Sequence, residues 1–299
     1  MPGAGLPDLP PAFLAFNAED PAWLVGLPGL LDRLAGRWSL RLGAHFPGIR
    51  INYVAPAARA DGTPCVLKVS RFVDETADEI AALRLWAGDG AARLLEADPA
   101  LGALLLERVE PGTTLVEVAR NDDEAATRIA ADVLARLWRP EPAASGLRPL
   151  ADWCAAYDRN RAELERGERG FPAELFRRAD ALRAELLSST PEQTVLHGDF
   201  HHENVLRCHQ HGWCVIDPKG LAGDRHFDVC QFLHNPWPDG ASLPVNRRRL
   251  DVFCARLRLD RARTRDWCFV HAVLDACWDF EDGNSWDKAI AYAGQTLQF

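Results

Sequence analysis

Two aspartates and one asparagine occur at a spacing that suits phosphoryl transfer. In the stretch His197-Gly-Asp-Phe-His-His-Glu-Asn204, Asp199 is followed five residues later by Asn204. The run Val215-Ile-Asp217 ends an apolar strand with a second aspartate, 13 residues beyond Asn204. Transfer from ATP needs one carboxylate to take the proton of the acceptor hydroxyl, and an Asn and an Asp to hold magnesium. The alternative is that Asp199 and Asn204 only form a turn that caps a helix.

The same chemistry needs a lysine for the nucleotide phosphates. The chain has 31 arginines but only three lysines, at positions 68, 219 and 288. Lys68 lies near the end of the apolar strand Cys65-Val-Leu-Lys-Val69, and Glu79 follows 11 residues later. Glu79 shares a face of the next predicted helix with Leu83 and Trp86, so its carboxylate can point back at the sheet. We predict that Glu79 holds Lys68 in place, although Lys68 taken alone also fits a surface charge.

A β-rich part and a larger helical part must position these residues. The periodicity predicts a leader with one amphipathic helix (1–37), three antiparallel strands (38–69), a helix (76–86), one or two strands (101–109), helices (115–190), short strands and turns (195–217) and helices again (245–299). The pattern changes at Pro111-Gly112. We therefore predict an N-terminal lobe over residues 1–110 and a C-terminal lobe over residues 111–299.

Composition indicates an ordinary globular protein. Of its 299 residues, 47% are hydrophobic and 26% are charged, and the net charge is −9. This charge disfavours nucleic acid as a partner and suits a cationic small molecule. We predict no membrane partner and a cytoplasmic location, because the sequence has neither a signal-peptide pattern nor an apolar run near 20 residues. Eight cysteines without a CxxC pair indicate reduced thiols.

Several common chemistries are excluded by missing motifs. None of the three lysines follows a glycine, which rules out a P-loop, and GxSxG and HExxH are absent. No GxGxxG lies between a predicted strand and helix. The run Cys208-His-Gln-His-Gly-Trp-Cys214 has zinc-ligand residue types. It also fits a polar turn between two strands, and the lack of paired CxxC knuckles favours the turn.

HGDxxxxN followed by IDPKG resembles the aminoglycoside phosphotransferase family, which is similar in fold to protein kinases. Longer matches resemble its streptomycin 6-kinase and hydroxyurea phosphotransferase branch: Leu196–Leu206, Val215–Gly220, Gly223–Pro236, Asp61–Lys68, Leu104–Arg108 and Trp278–Gly283. The resemblance runs from about Trp38 to Gly283. It implies an α+β, bilobal protein-kinase-like fold, with an N-terminal antiparallel sheet lobe that binds nucleotide and a larger, mostly helical C-terminal lobe that carries the catalytic and substrate-binding residues.

The resemblance also implies roles for single residues. Asp199 would be the catalytic base, Asn204 and Asp217 the Mg²⁺ ligands, Lys68 with Glu79 the holder of the ATP phosphates, and the backbone of Glu107 to Val109 the contact to adenine. Lys219 follows Asp217 and Pro218, and we expect it to stabilise the transferring phosphoryl group as a second catalytic residue. His197 would be a structural residue of the turn.

The loop from Gly43 to Gly48 departs from the protein-kinase pattern. It has two glycines around His45 and Phe46 instead of GxGxxG, which puts close backbone coverage of the phosphates in doubt. HRD, DFG and APE motifs are absent, so a protein substrate is not supported.

Acidic residues near the C-terminus predict the acceptor class. Asp275, Asp279 and Asp282 share one helix face, and Glu281 adds to the local charge. Carboxylates hold guanidinium and ammonium groups well, so we predict streptomycin or another aminoglycoside as the acceptor. The acids also fit a solvated helix face. Alternative functions are a kinase for hydroxyurea or another small alcohol, and a nucleotide-binding pseudoenzyme.

Overall fold

The computed structural model describes residues 9–235 and 241–299. The first eight residues of the predicted leader, and Pro236 at the end of one matched stretch, lie outside the described residues. The strands are β1 Leu40–Leu42, β2 Tyr53–Arg59, β3 Pro64–Val69, β4 Leu94–Asp98, β5 Ala103–Glu107, β6 Pro111–Thr114, β7 Arg148–Pro149, β8 Thr194–Leu196, β9 Val205–Cys208, β10 Gly212–Val215 and β11 Leu221–Gly223.

Among the described residues, the helices are more numerous in the second half of the chain. They are α1 Pro11–Phe16, α2 Pro21–Trp38, α3 Val73–Trp86, α4 Val116–Asn121, α5 Asp123–Leu137, α6 Leu150–Trp153, α7 Ala156–Arg159, α8 Arg161–Glu165, α9 Ala173–Ser188, α10 Cys230–His234, α11 Leu243–Leu257, α12 Arg261–Glu281 and α13 Asp287–Thr296. Aspartates begin several of them: the side chains of Asp20, Asp122 and Asp260 accept hydrogen bonds from the backbone of the first turns of α2, α5 and α12.

The N-terminal sheet is antiparallel throughout, with strand order β1-β2-β3-β5-β4. Its two faces meet different helices because side chains alternate along each strand. On β5, Ala103 and Leu105 pack with α1 and α2, whereas Leu104 and Leu106 pack with α3 and the C-terminal core. The sheet is thus covered on one face by the N-terminal helices and on the other by α3.

The predicted three-stranded meander is present, and its limits differ slightly from the prediction. Trp38 ends α2 instead of opening a strand, and β2 begins at Tyr53 instead of Ile51. Helix α3 begins at Val73, three residues before the predicted start. Strand β4 was not predicted, because its residues alternate weakly between apolar and charged types.

The larger lobe is a helical body in which α12 is central. Helix α12 packs against α9 and α13, and α5 packs against α11. The core of the larger lobe contains Phe200, Phe227, Phe232, Phe253 and Trp267, all of which are almost completely buried. The strands of two small sheets, β10-β9-β6 and β7-β11-β8, alternate with groups of these helices along the chain. The fold is the predicted bilobal α+β arrangement. The boundary at residues 110 and 111 stays a prediction, which the pairing of β6 with β9 supports.

No helix within residues 9–235 and 241–299 is long and apolar enough to cross a membrane.

A close backbone contact joins α3 to the segment that follows Lys219. Gly220 has a φ of 65°, and a Cβ atom there would lie 2.1 Å from the carbonyl oxygen of Asp78 and 3.2 Å from the nitrogen of Glu79. The Asp78 carboxylate also meets the guanidinium of Arg148 at 2.8 Å. Only glycine permits this approach, so the position of α3 relative to the second lobe depends on it.

We predict that Gly220→Ala lowers the free energy of unfolding by about 2–4 kcal/mol, because backbone cannot rotate away from the added methyl group as a side chain can. Urea denaturation measures the change. Gly146→Ala is the matched control, since Gly146 has a φ of 75° but no atom within 4 Å of the added Cβ. Equal losses in the two variants would show that the contact with Asp78 does not matter.

Candidate active site

Lys68 points to the inner face of the N-terminal sheet. Its neighbours Leu67 and Val69 pack with the N-terminal helices, so the alternation of β3 turns Lys68 towards α3. The lysine is 6% exposed, and its Nζ donates to Glu79 Oε2 at 2.6 Å. A second hydrogen bond and ion pair joins Nζ to Asp217 Oδ1. The pair that the spacing predicted is therefore present, and Asp217 makes it a triad.

Electrostatics favour the charged forms of Lys68 and Asp217. Burial by itself would lower the pKa of Lys68, but the carboxylates of Asp217 and Glu79 outweigh it and raise the pKa above its usual value. Burial would raise the pKa of Asp217, but Lys68 and Lys219 hold it well below its usual range. Burial raises the pKa of Glu79, and Lys68 offsets this only in part.

Asp217 has an unusual backbone conformation. It follows β10 and has a φ of 59°, in the left-handed region that aspartate tolerates better than most residues. Its side chain is 41% exposed. One oxygen contacts Lys68, and the side chain also lines the open cleft beside Asn204.

Asp199 and Asn204 lie in the loop between β8 and β9. The Asn204 side chain donates from Nδ2 to the carbonyl oxygen of Asp199 at 3.0 Å and also meets His201 Nε2 at 3.1 Å. The Asp199 carboxylate is 3.7 Å from the same His201 nitrogen and is a quarter exposed. His202 points the other way, where its ring stacks on Phe232 at 3.8 Å in the core. Asp199, His201 and Asn204 thus line the cleft, whereas His202 faces the core.

Asp228 anchors this loop, a role that the sequence did not reveal. One of its oxygens accepts from the backbone nitrogen of His197 and from Trp138 Nε1, both at 3.0 Å. The other accepts from the backbone nitrogen of Gly198 at 2.7 Å. His197 itself is fully buried and bonds to the carbonyl oxygen of Ile216, in agreement with a structural function. Asp228 stands within a matched stretch, but nothing in its spacing indicates this contact.

Lys219 is the second lysine that lines the cleft. Its backbone nitrogen donates to the carbonyl oxygen of His197 at 2.7 Å, which ties the segment after Asp217 to the Asp199 loop. Its side chain lines the same cleft as Lys68 and Asp199. Within the described residues, no hydrogen bond or ion pair engages the Lys219 amine.

One cleft of about 470 Å³ collects half of the predicted site residues. Its lining includes Lys68, Glu79, Asp199, Asn204, Asp217 and Lys219. It also includes residues that sequence reasoning missed, namely Phe16 from α1 and the segment 48–52 between β1 and β2. The segment 48–52 brings Arg50 to the cleft.

Glu107 and Val109 lie apart from this cleft. They line a smaller cavity of about 190 Å³ between the end of β5 and the β9–β10 hairpin. The Glu107 carboxylate accepts from the backbone nitrogen of Arg93 at 2.9 Å. The adenine contact of this segment stays a prediction.

The same cavity contains the cysteines and histidines considered as zinc ligands. Cys208 ends β9, Cys214 lies within β10, and His209 and His211 stand in the exposed turn between them. In the part of the chain that the structure describes, no group of three or more His, Cys, Asp and Glu residues is arranged to hold a metal ion. The alternative of a polar turn between strands accounts for the run.

The acidic residues of α12 separate into two sets. Asp275 and Asp279 are partly buried on the helix, and Asp282 is exposed just after its end. Glu281 faces elsewhere: its two oxygens accept from Arg159 Nε and Nη2, both at 2.7 Å, and one also accepts from Asn160 Nδ2. A bidentate pair of this kind already satisfies the carboxylate. None of the four acids belongs to the lining of the 470 Å³ cleft.

His271 connects Asp275 with the Asp199 side of the lobe. It is 4% exposed, and its Nδ1 lies 3.3 Å from Asp275 Oδ2, one helical turn further along α12. Burial would lower the pKa of His271, but Asp275, and to a smaller extent Asp199, raise it above the usual value. Both carboxylates therefore act on one buried imidazole.

The solved structures that this fold resembles define its class. A thermostable mutant of the aminoglycoside phosphotransferase APH(4)-Ia, in a ternary complex with AMP-PNP and hygromycin B, aligns with a TM-score of 0.60 over 89% of this chain and 96% of that one, at 18% identity. At this identity the likeness concerns the fold. The protein has the bilobal architecture of protein-kinase-like phosphotransferases.

Sequence comparison defines the family. The profile described as "Aminoglycoside/hydroxyurea antibiotic resistance kinase" matches residues 37–283. A streptomycin 6-kinase of Streptomyces glaucescens is 37% identical over 294 residues, covering 95% of this chain and 93% of that protein. A hydroxyurea phosphotransferase of Kitasatospora aureofaciens is 36% identical over 266 residues, covering 87% and 75%. The chain belongs to the aminoglycoside/hydroxyurea antibiotic resistance kinase family. It is thus a phosphotransferase that acts on a small molecule, and membership in a kinase family implies the use of ATP.

We predict that Asp228→Asn lowers the free energy of unfolding by about 3 kcal/mol. Both oxygens of Asp228 accept hydrogen bonds, so the NH₂ group of the new amide faces a backbone or indole N–H whichever way the amide is turned. Chemical denaturation measures the loss. Asp251→Asn serves as the control, since Asp251 is an exposed aspartate paired with Arg261 at 3.0 Å, and its change should stay within about 0.5 kcal/mol. A similar small change in Asp228→Asn would contradict its anchoring role.

Proposed function

We propose that this protein uses ATP and Mg²⁺ to transfer the γ-phosphoryl group to a hydroxyl of a cationic small molecule, with streptomycin or another aminoglycoside as the acceptor. The observation that carries the proposal is the Lys68–Glu79–Asp217 triad, which lies in one cleft with Asp199, Asn204 and Lys219. The named relatives include a streptomycin 6-kinase. Use of ATP also fits the predicted cytoplasmic location.

Asp199 is the base in this proposal. It is partly exposed to the cleft, and its backbone is fixed through Asn204 Nδ2 and the His197 ring. A carboxylate held this way can accept a hydrogen bond from the acceptor hydroxyl, orient the oxygen for in-line attack and take its proton. His197 is buried and bonded to Ile216, so it does not compete for this role.

Asn204 and Asp217 fit the needs of a magnesium ion. Both hydrogen bonds of the Asn204 side-chain amide use Nδ2, and one oxygen of Asp217 contacts Lys68, so each side chain has an oxygen left for a hard cation. Magnesium is usually held by one or two protein ligands together with phosphate oxygens and water. When bound, Mg²⁺ would neutralise charge on the phosphates.

Lys68 and Lys219 have different tasks in this proposal. Lys68 is fixed between two carboxylates and offers a rigid positive charge to the nucleotide phosphates. Lys219 has no partner for its amine among the described residues, so its charge is available for the phosphoryl group in transfer. The backbone from Glu107 to Val109 is the proposed adenine contact.

Asp275, Asp279 and Asp282 form the proposed acceptor site. They lie at i, i+4 and i+7, so three carboxylates share one side of the helix end. Like charges and burial raise the pKa of Asp279, and a bound cation would relieve this repulsion. Glu281, predicted with them, is engaged by Arg159 and Asn160, and we propose a supporting role for it instead of direct contact.

Hydroxyurea or another small alcohol is the second candidate acceptor, because a relative of similar identity is named a hydroxyurea phosphotransferase. The acidic helix end favours a cationic acceptor over this neutral one. The complete set of Lys68, Asp199, Asn204 and Asp217 argues against a pseudoenzyme.

The first experiment measures ADP release with ATP and Mg²⁺ across streptomycin, other aminoglycosides and hydroxyurea. We expect turnover with streptomycin and a fall in kcat of about 10²–10⁴-fold in Asp199→Asn, since the amide cannot accept the proton. Asp132→Asn, an exposed aspartate paired with Arg256, is the matched control. Normal turnover of Asp199→Asn would refute the assigned base, and turnover with hydroxyurea alone would replace the acceptor.

The acceptor site has its own test. Asp275→Asn should raise KM for streptomycin about tenfold while kcat changes little, because a charge-assisted contact to the acceptor is lost. Steady-state kinetics with varied streptomycin measures this. Asp266→Asn is the control, since Asp266 lies on the same helix, is also partly buried, and pairs with Arg265 at 2.8 Å. Equal KM values in the two variants would rule out Asp275 as an acceptor contact.

A further inference from the structure

The N-terminal helices reach the nucleotide cleft. Residues 9–36 precede the range matched by the family profile, yet Phe16 of α1 lines the cleft that contains Lys68 and Asp217. Asn17 directly follows α1 and is fully buried. A completely buried carboxamide is costly unless its hydrogen bonds are made, so its partners indicate what the segment does.

Asn17 holds the backbone of the cleft-lining loop. Its Nδ2 lies 3.1 Å from the carbonyl oxygen of Arg50, 3.3 Å from that of Ile51, and 3.0 Å from that of Phe13 at the start of the same turn. Within residues 9–235 and 241–299, no other group forms a hydrogen bond to the backbone of residues 48–52. The Asn17 amide therefore fixes the backbone at residues 50 and 51.

The earlier part of the loop is fixed by other contacts. The backbone nitrogen of Phe46 donates to the carbonyl oxygen of Val54 at 2.9 Å, and His45 Nδ1 lies 2.6 Å from the carbonyl oxygen of Phe46. The His45 ring packs edge-on against Phe13 at 5.0 Å and Tyr53 at 5.3 Å. The loop thus contacts α1 through Phe13 and the residue after α1, Asn17.

Arg50 gives this loop a charge that faces the cleft. Its side chain is exposed and lines the cleft, and no ion pair or hydrogen bond of its guanidinium occurs in the described part of the chain. The loop lacks the glycines that would bring several backbone amides onto phosphates. A guanidinium supplies instead a planar set of donors that matches phosphate oxygens.

The charges around the cleft show why Arg50 matters. The lining carries three cations, Arg50, Lys68 and Lys219, against five carboxylates, Glu75, Glu79, Asp199, Glu203 and Asp217. Lys68 is already paired twice. The positive charge of Lys68 is thus partly offset, so a triphosphate in this acidic cleft also needs the two cations without carboxylate partners, Arg50 and Lys219, together with its metal ion.

We propose that Arg50 contacts the phosphates of the bound nucleotide and that Asn17 is a positioning residue, which acts by holding the Arg50 backbone over the cleft. This inference rests on the proposed use of ATP and adds two residues to that site. It links the N-terminal helices to the nucleotide through one buried hydrogen-bond donor.

Binding of two ligands to the full chain tests the proposal without an acceptor. Isothermal titration with AMP-PNP and Mg²⁺, and separately with adenosine, is compared for the wild type, Arg50→Ala and Arg50→Lys. We expect Arg50→Ala to weaken AMP-PNP about tenfold or more and adenosine less than about twofold, because only the first ligand has phosphates. Arg50→Lys should recover part of the loss. Arg41→Ala is the matched control, since Arg41 is an exposed arginine of the same lobe outside the cleft lining.

A double-mutant cycle tests Asn17. If Asn17 acts through Arg50, Asn17→Ala weakens AMP-PNP binding in the wild type but adds nothing in the Arg50→Ala background. Asn17→Ser is the second variant if Asn17→Ala unfolds, since a serine hydroxyl can still bond to the carbonyl oxygen of Phe13, one turn earlier, but is one bond shorter.

Three results would overturn these assignments. AMP-PNP binding in Arg50→Ala equal to that in Arg41→Ala would remove Arg50 from the phosphate site. Additive losses in the double mutant would show that Asn17 does not act through Arg50. A wild-type chain that binds neither AMP-PNP nor adenosine would refute the proposed use of ATP itself, and this inference with it.

Discussion

The buried amine of Lys68 is the contact on which the rest of the site depends. It joins Glu79 of α3 to Asp217 of the other lobe, and Asp217 lies 149 residues after Lys68 in the chain. Burial of three charges is a poor source of stability, because desolvation offsets most of the Coulomb attraction. Such a triad is, however, specific in geometry. Its exposed end, the Asp217 carboxylate, is the part that faces the cleft, so the triad fixes where the phosphate site can lie.

Irregular backbone around the cleft is held by single buried polar side chains. Asp228 accepts the two backbone N–H groups of His197 and Gly198, as well as the indole N–H of Trp138, and Asn17 donates to the carbonyl oxygens of the β1–β2 loop. Asp224 does the same for the segment before α10, with donors from His226, Arg263 and Trp267. Burial would raise the pKa of Asp224, but the contacts with His226 and Trp267 lower it to about 2. Because loops cannot satisfy their own backbone groups as helices and strands do, each rigid loop here needs such an anchor.

The distribution of charge separates two ends of the proposed reaction. Cations on the cleft wall, at Arg50 and Lys219, suit an anionic donor, whereas the carboxylates at the end of α12 suit a cationic acceptor. Asp199 is the group between them that acts electrostatically on His271 and shares the cleft with Lys219.

The sequence by itself determined the class of fold and six of the residues that line the cleft. Strand alternation directed Lys68 inwards, helical spacing placed Glu79 on the buried face of α3, and the motif spacing brought Asp199, Asn204 and Asp217 into two adjacent loops; all three signals are local and periodic. Strand β4 and the start of α3 were missed, because weak alternation leaves little local signal. Tertiary structure alone decided that Asp217 completes the Lys68 triad, that Arg159 and Asn160 engage Glu281, and that Asp228 and Asn17 anchor the loops. These contacts join residues 30 to 149 positions apart, and no periodicity in the chain encodes which distant side chains will meet once the core has packed.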